Sequence, residues 1–151
     1  MKMRVGWEEW VALPDLLLPA VKAKIDTGAK TSALHAFNIE PYTHRGETYV
    51  RFDIHPLQRR KRLVRSCTAR TLGWRWVIDS GGHRERRYVI ETQLTLGETS
   101  WSIELTLANR DSMAFRMLLG RTALRDRAIV DPSQSFCLGS QTPAHVKGLY
   151  R

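Results

Sequence analysis

Cysteine is scarce in this 151-residue sequence, and long apolar runs are absent from it. Cys67 and Cys137 could form one disulfide, but two buried free thiols in a reducing cytoplasm are the preferred interpretation. No apolar run approaches the roughly 20 residues of a membrane helix. Glu8, Glu9 and Pro14 interrupt the N-terminal stretch, so no signal peptide is predicted. We therefore expect a cytoplasmic protein without a membrane partner.

Motifs for metal and nucleotide binding are also missing. The sequence contains no His-Glu-x-x-His and no Gly-x-x-x-x-Gly-Lys-[Ser/Thr], and its histidines and cysteines show no ligand spacing. His83 and Glu85 are interpreted as a solvated pair, and neither cysteine lies in a motif typical of a Cys-His nucleophile. We therefore predict no metal site and no cofactor.

Acidic residues are few compared with basic ones: 15 Asp and Glu oppose 24 Lys and Arg, which gives a net charge of +9. Such a balance predicts attraction to a negative partner, either nucleic acid or an acidic peptide. The positive charge is concentrated at 58–65 (QRRKRLVR) and 83–87 (HRERR), and either run could instead be a solvated face. The five tryptophans are interpreted as core or sheet-face packing rather than as stacking platforms for bases.

Strand patterns dominate the chain, and helical spacing occurs only in residues 120–129. Val50, Phe52 and Ile54 alternate with polar residues, which is typical of a strand with one buried face. The other predicted strands are a hairpin from 8–16 and 19–26, a strand at 63–71, two strands around Ser80-Gly81-Gly82, a hairpin turning at Gly97-Glu98, and a terminal strand at 133–140.

These elements predict an all-β fold with one short helix near the C-terminus. We expect a single domain, closed or sandwiched, over residues 1–140. Residues 141–151 are expected to be a flexible tail.

One short motif ends an apolar strand near the N-terminus. In AKIDTGAKTSALHA, Asp26, Thr27 and Gly28 follow the strand directly. Alone, the tripeptide is also typical of a turn in which Asp accepts local N–H groups. Much later, RMLLGRTAL (116–124) contains a second apolar strand, which ends in Gly120 and leads into the predicted helix.

Together, KIDTGA (24–29) and LLGRTAL (118–124) resemble the retropepsin-like aspartic proteases, and the resemblance covers most of residues 7–139. The chain looks closest to a bacterial branch often labelled "ATP-dependent zinc protease" and often encoded beside ATP-grasp ligases that add glutamates to a protein. The resemblance implies a closed acid-protease-like barrel, a retropepsin half-lobe. The hairpin with Gly81 and Gly82 at its tip would be the flap. The zinc and ATP of the label find no support in the residues.

The chemistry of such a motif requires two carboxylates that share one proton, because two like charges so close cannot both ionise. One carboxylate takes a proton from a water held between them, and the other polarises the scissile carbonyl. This chain has one Asp-Thr-Gly, and VDPSQ (130–134) is not a second copy. The second carboxylate must then come from a symmetry mate, so a C2 homodimer is predicted. Asp26 would be the general acid/base and Gly28 would donate its N–H to that carboxylate. By resemblance, the Thr27 hydroxyl would lock the two loops together.

The substrate is expected to be acidic. In the family, an acid usually follows Asp-Thr-Gly-Ala; here that residue is Lys30, which removes the usual partner of Arg121. Arginine binds carboxylates bidentately, so a cationic cleft would suit a glutamate-rich peptide. Strand alternation puts Arg84 and Arg86 on one face and Arg87 on the other, so not all three can bind substrate. The predicted substrate-binding residues are Ala29, Lys30, Gly81, Gly82, Arg84, Arg86, Arg87, Met113, Phe115 and Arg116, and the predicted structural residues at the site are Leu118, Leu119, Gly120 and Arg121.

The sequence thus predicts a cytoplasmic, homodimeric aspartic peptidase without a cofactor. Its substrate would be an acidic peptide, best an oligo-glutamate tail added to a protein by a ligase. Association with a ribosome or an ATP-grasp ligase is conceivable. A basic nucleic-acid- or ribosome-binding module without catalysis is the alternative, and a catalytically inactive dimerisation module is a third.

Overall fold

β-Strands make up most of this chain in a computed structural model that describes residues 2–57, 60–78, 81–109 and 114–151. A 3-10 turn spans Pro14–Leu16, and the two α-helices are α1 (Arg121–Leu124) and α2 (Pro143–Leu149). The strands are β1 (Met3–Val5), β2 (Glu8–Leu13), β3 (Leu18–Asp26), β4 (Ser32–His35), β5 (Phe37–His44), β6 (Glu47–Ile54), β7 (Arg65–Ile78), β8 (Arg84–Leu96), β9 (Thr99–Ala108), β10 (Met117–Gly120) and β11 (Ala128–Val130).

The main sheet has the order β2-β3-β10-β4-β9-β8-β7-β6-β5. An additional pairing between Ala12 of β2 and Thr95 of β8 connects β2, β3, β10, β4, β9 and β8 into a ring. Strand β10 lies between β3, to which it is parallel, and β4, to which it is antiparallel. The parallel pairing brings the end of β10 beside the end of β3. Strands β1 and β11 form a separate two-stranded parallel sheet.

The core fills the inner faces of these strands. Phe52, Leu18, Leu34 and Leu105 are fully buried, and the apolar residues of β6 alternate with more exposed polar ones, as the sequence predicts. Each buried side chain of this size contributes roughly 1.5–3 kcal/mol relative to exposure. The mainly β fold is confirmed, and no helix in the described ranges is long and apolar enough to cross a membrane.

Both predicted hairpins that fall on described residues are present: β2 with β3, and β8 with β9 through the Gly97 turn. The two strands predicted at 63–71 and after it are one 14-residue strand, β7, with an irregularity between Thr71 and Gly73. Gly73 has a φ of +107°, and its N–H bonds to the Thr71 hydroxyl, so the strand bends without ending.

The predicted terminal strand at 133–140 is wrong, and the cause is a buried carboxylate. Glu9 is fully buried, and it accepts hydrogen bonds from the backbone N–H groups of Cys137 (2.9 Å) and Leu138 (3.2 Å). These groups are therefore used by a side chain and not by a neighbouring strand. The predicted helix at 120–129 is also shorter than expected, because residues 128–130 pair with β1 instead.

Residues 141–151 were expected to be loose, but α2 occupies most of this segment. Thr142 caps the helix by accepting a hydrogen bond from His145 N–H (3.1 Å), and Pro143 is placed at its first turn. Val146 is buried, and the buried Tyr150 donates its hydroxyl to Ala20 O (2.5 Å). Burial raises the pKa of Tyr150 to about 12, so this hydroxyl stays protonated at neutral pH.

We expect Val146→Ala to lower the free energy of unfolding by about 1.5–2.5 kcal/mol, because two buried methyl groups are lost and a cavity is left. Leu149→Ala in the same helix is the control; its side chain is 39% exposed, so a change below about 0.5 kcal/mol is expected. Urea unfolding measures both. Equal effects would mean that α2 does not pack as described.

Candidate active site

Asp26 is the last residue of β3, and its carboxylate is half-buried. The backbone N–H of Gly28 donates to Asp26 Oδ1 at 3.0 Å, so the expected hydrogen bond is present. A Cβ on Gly28 would lie 3.2 Å from the same oxygen, which explains the need for a small residue there. Thr27 and Gly28 are exposed, and Ala29 closes the turn by donating its N–H to Asp26 O (3.2 Å). The carboxylate is thus held by its own turn and remains open to solvent.

Strand β10 supports this turn from the side. Leu118 pairs with Lys24, and Gly120 stands opposite Asp26 in the parallel register. Gly120 donates its N–H to the Ser32 hydroxyl at 3.0 Å. A Cβ on Gly120 would lie 2.6 Å from the backbone C and O of Thr31, so only glycine fits. Leu119, in the same strand, is fully buried.

Arg121 has a partner even though the family's usual acid is replaced by Lys30. Its guanidinium Nη1 donates to Gly28 O at 3.1 Å, and its backbone N–H donates to Ala29 O at 2.8 Å. Thr122 adds its hydroxyl to Lys30 O at 2.7 Å. The loop's carbonyl groups therefore replace the missing carboxylate. This hydrogen bond could not be predicted from the sequence, because every residue has a backbone carbonyl and the residue type does not show which one accepts.

The predicted flap is the distal part of the β7–β8 hairpin. Ser80 lies outside the described residues, whereas Gly82 has a φ of +82°, a turn conformation that favours glycine, and Gly81 precedes it in the same turn. The predicted alternation of the arginines is confirmed. Arg84 lies 4.7 Å above the ring of Trp76 and Arg86 lies 4.8 Å above that of Trp74, on one exposed face.

Arg87 and Arg116 are almost fully buried, each only 6% exposed. Arg87 forms an ion pair with Glu85, and Arg116 donates its Nε to Leu57 O at 3.4 Å. Neither side chain is exposed to solvent, as a residue that binds a substrate from solution would be.

Met113 lies outside the described residues. Phe115, its predicted neighbour at the site, packs edge-on against Trp7, with ring centroids 5.9 Å apart. Trp7 in turn accepts a hydrogen bond at its carbonyl from Ile25 N–H (2.8 Å), so Phe115 and the end of β3 share one neighbour.

The thiols differ from each other. Cys67 is buried, and burial raises the pKa of its thiol to about 11, so it is not a nucleophile at neutral pH. Cys137 is exposed, contrary to the expectation of two buried thiols. Across the part of the chain that the structure describes, no three His, Cys, Asp or Glu side chains are grouped as metal ligands.

Comparison with known proteins identifies a family whose model covers most of the chain. Residues 4–141 match the family model described as "Retropepsin-like aspartic endopeptidase RimB". The chain belongs to this RimB-like family. A crystal structure of the Legionella pneumophila protein Lpg0085, of unknown function, superposes on this RimB-like chain with a TM-score of 0.77 at 29% identity, covering 91% of this chain and 99% of that one.

Several curated relatives are longer proteins with a different name. A "Probable alpha-L-glutamate ligase" of Shewanella halifaxensis is 47% identical over 149 residues, which is 99% of this chain and 32% of the relative. A protein of the same name from Parasynechococcus marenigrum is 48% identical over 149 residues, with the same coverage of 99% and 32%. The RimB-like chain thus spans about a third of the length of the curated relatives it matches.

We expect Gly120→Ala to destabilise the protein by about 1–3 kcal/mol or more, because the added methyl group overlaps the Thr31 backbone. Gly148→Ala is the matched control: nothing lies within 4 Å of its added Cβ in α2, so the change should be neutral or stabilising by up to about 1 kcal/mol. Thermal unfolding compares the two variants. A Gly120→Ala protein as stable as the control would contradict the close crossing.

Proposed function

We propose that this chain is an aspartic peptidase whose active site forms when two copies bring their Asp26 carboxylates together. The observation that carries the proposal is the Asp26 turn. One carboxylate oxygen is held by Gly28 N–H, and no described group bonds to the other. That second oxygen is available to a water or to the partner's aspartate. The match of residues 4–141 to a family of retropepsin-like aspartic endopeptidases supports the same reaction.

The dimer follows from the chemistry. A lone carboxylate cannot both accept the proton of water and donate one to the scissile carbonyl at the same moment, whereas two that share a proton can. Water adds to the carbonyl carbon as its proton passes to the ionised aspartate. The peptide C–N bond then breaks as the leaving nitrogen takes up a proton. We further propose that the β2–β8 pairing closes the sheet ring as a barrel in each copy.

The proposed substrate is an acidic tail, best α-linked glutamate. The curated relatives named as probable alpha-L-glutamate ligases carry a region like this chain within a protein about three times as long, which supports association with such a ligase. We assign contact with the substrate to the exposed Lys30, Arg84 and Arg86. Arg87 and Arg116 are buried, so we propose that they contribute charge without touching the peptide. The free thiols of Cys67 and Cys137 fit the cytoplasmic location we propose.

Asp26→Asn tests the catalytic role. The asparagine amide oxygen can still accept from Gly28 N–H, so the fold and the dimer should persist. Cleavage of a glutamate-tailed peptide, followed by mass spectrometry, should fall by at least about a thousandfold. A variant that cleaves at the wild-type rate would remove Asp26 from the mechanism.

Mixed dimers test whether both aspartates are needed. When wild-type and Asp26→Asn chains are unfolded, mixed and refolded, activity should fall with the square of the wild-type fraction, to about a quarter in an equimolar mixture. A linear fall would show that a single Asp26 suffices, and the shared dyad would then be wrong.

A second candidate function, binding of single-stranded nucleic acid or ribosomal RNA without catalysis, is favoured by one surface. Trp74, Trp76 and Ile78 are 48%, 53% and 67% exposed on the β7–β8 hairpin, so these two tryptophans lie on a sheet face and not in the core. The two indole rings lie 5.8 Å apart, and Arg84 and Arg86 cover them. Aromatic rings with neighbouring arginines can stack on bases.

If this surface binds RNA, Trp74→Ala with Trp76→Ala should weaken binding at least about tenfold, because base stacking contributes roughly 1–3 kcal/mol per base. Trp7→Ala is the control, since Trp7 is similarly exposed (41%) but lies outside the hairpin. Anisotropy titrations at several salt concentrations measure both. Equal losses, or no binding by the wild type, would reject this candidate.

A further inference from the structure

A cationic groove of about 480 Å³ opens beside the Asp-Thr-Gly-Ala loop. It begins at Lys30, the residue that follows this loop, and β7, β9 and the α1 region supply the rest of its wall. The charged residues that line it are Lys30, Arg75, Glu104, Arg125 and Arg127.

Among the described residues that line this groove, the one acid does not neutralise the positive charge. Glu104 accepts a hydrogen bond from Arg75 at 2.7 Å, so these two charges satisfy each other. Lys30 and Arg125 are exposed, and neither forms an ion pair with a carboxylate in the described ranges. Arg127 lies 4.8 Å above the ring of Trp101, and no described carboxylate pairs with its guanidinium. Three positive charges are therefore left for a ligand.

Hydrogen bonds connect the elements that carry these charges. The Trp101 indole donates to Ala123 O at 3.0 Å, which connects β9 to α1. The Thr122 hydroxyl donates to Lys30 O at 2.7 Å, which connects α1 to the residue that follows the Asp-Thr-Gly-Ala loop. A preformed site of this kind loses little ordering entropy when a ligand binds.

We propose that this groove binds the carboxylates of an acidic peptide at residues away from the bond that Asp26 cleaves. The inference rests on the proposed function, because it names a second contact of the same substrate. Cations on two segments, Lys30 after the Asp-Thr-Gly-Ala loop and Arg125 and Arg127 after α1, suit a row of separate charges along an extended chain, which rises about 3.3 Å per residue.

The binding test uses a labelled hexaglutamate peptide and the Asp26→Asn protein, which leaves the peptide uncut. Arg125→Gln with Arg127→Gln should weaken binding about tenfold, because two cations that would pair with peptide carboxylates are removed. Arg45→Gln with Arg62→Gln is the control; it removes the same charge from exposed positions outside the groove and should change binding less than about twofold. Equal effects of the two pairs would overturn the site.

Cleavage by the protein with Asp26 intact separates this inference from the function it extends. The Arg125→Gln, Arg127→Gln protein should show a raised KM for a tail of six glutamates and an unchanged kcat, while a tail of two is cut as before. If the wild type cuts nothing but binding still depends on Arg125 and Arg127, the peptidase proposal fails and the groove stands. Stronger binding of inorganic phosphate than of hexaglutamate at this groove would overturn its assignment to polycarboxylates.

Discussion

The close crossing of Gly120 over the backbone of Thr31 positions the Asp26 turn. Because glycine lacks a side chain, β10 can lie between β3 and β4 and place its last residue opposite Asp26. Arg121, next in the chain, then donates to the carbonyl of Gly28, whose own N–H holds the carboxylate. The loop is therefore held at two points, by the Gly28 N–H on the Asp26 carboxylate and by the Arg121 side chain on the Gly28 carbonyl. This explains how Lys30 can occupy the position where the family usually has an acid.

The excess positive charge is distributed unevenly over the fold, which the net charge of +9 does not show. Some arginines are used inside the fold, as Arg87 is with Glu85. Others lie on two exposed surfaces: the hairpin face, where Arg84 and Arg86 stack on tryptophans, and the groove that begins at Lys30. Both surfaces suit negative partners, and the groove begins at the residue that follows the Asp-Thr-Gly-Ala loop. We therefore propose that the groove and the neighbouring Asp26 loop bind and cleave the same acidic peptide.

Much of this arrangement could be predicted from the sequence, because alternation and motif spacing are local. The β6 pattern, the hairpin at Gly97 and the bond from Gly28 to Asp26 were predicted correctly. The strand predicted at 133–140 was wrong, since the buried carboxylate of Glu9, distant in the chain, takes its N–H groups. The order of α2 depends on Tyr150 reaching Ala20. Such partners are distant in the chain, so no local pattern predicts them. Thr142-Pro143, in contrast, is a local signal typical of the start of a helix.

The central claim is that two Asp26 carboxylates face each other across one water. A crystal structure of the protein with a statine-type peptide inhibitor tests it most directly. We expect a two-fold dimer in which the inhibitor's hydroxyl lies within about 2.6–3.2 Å of one oxygen from each Asp26. An inhibitor bound elsewhere, or Asp26 carboxylates too far apart to share a hydroxyl in every assembly present, would contradict it.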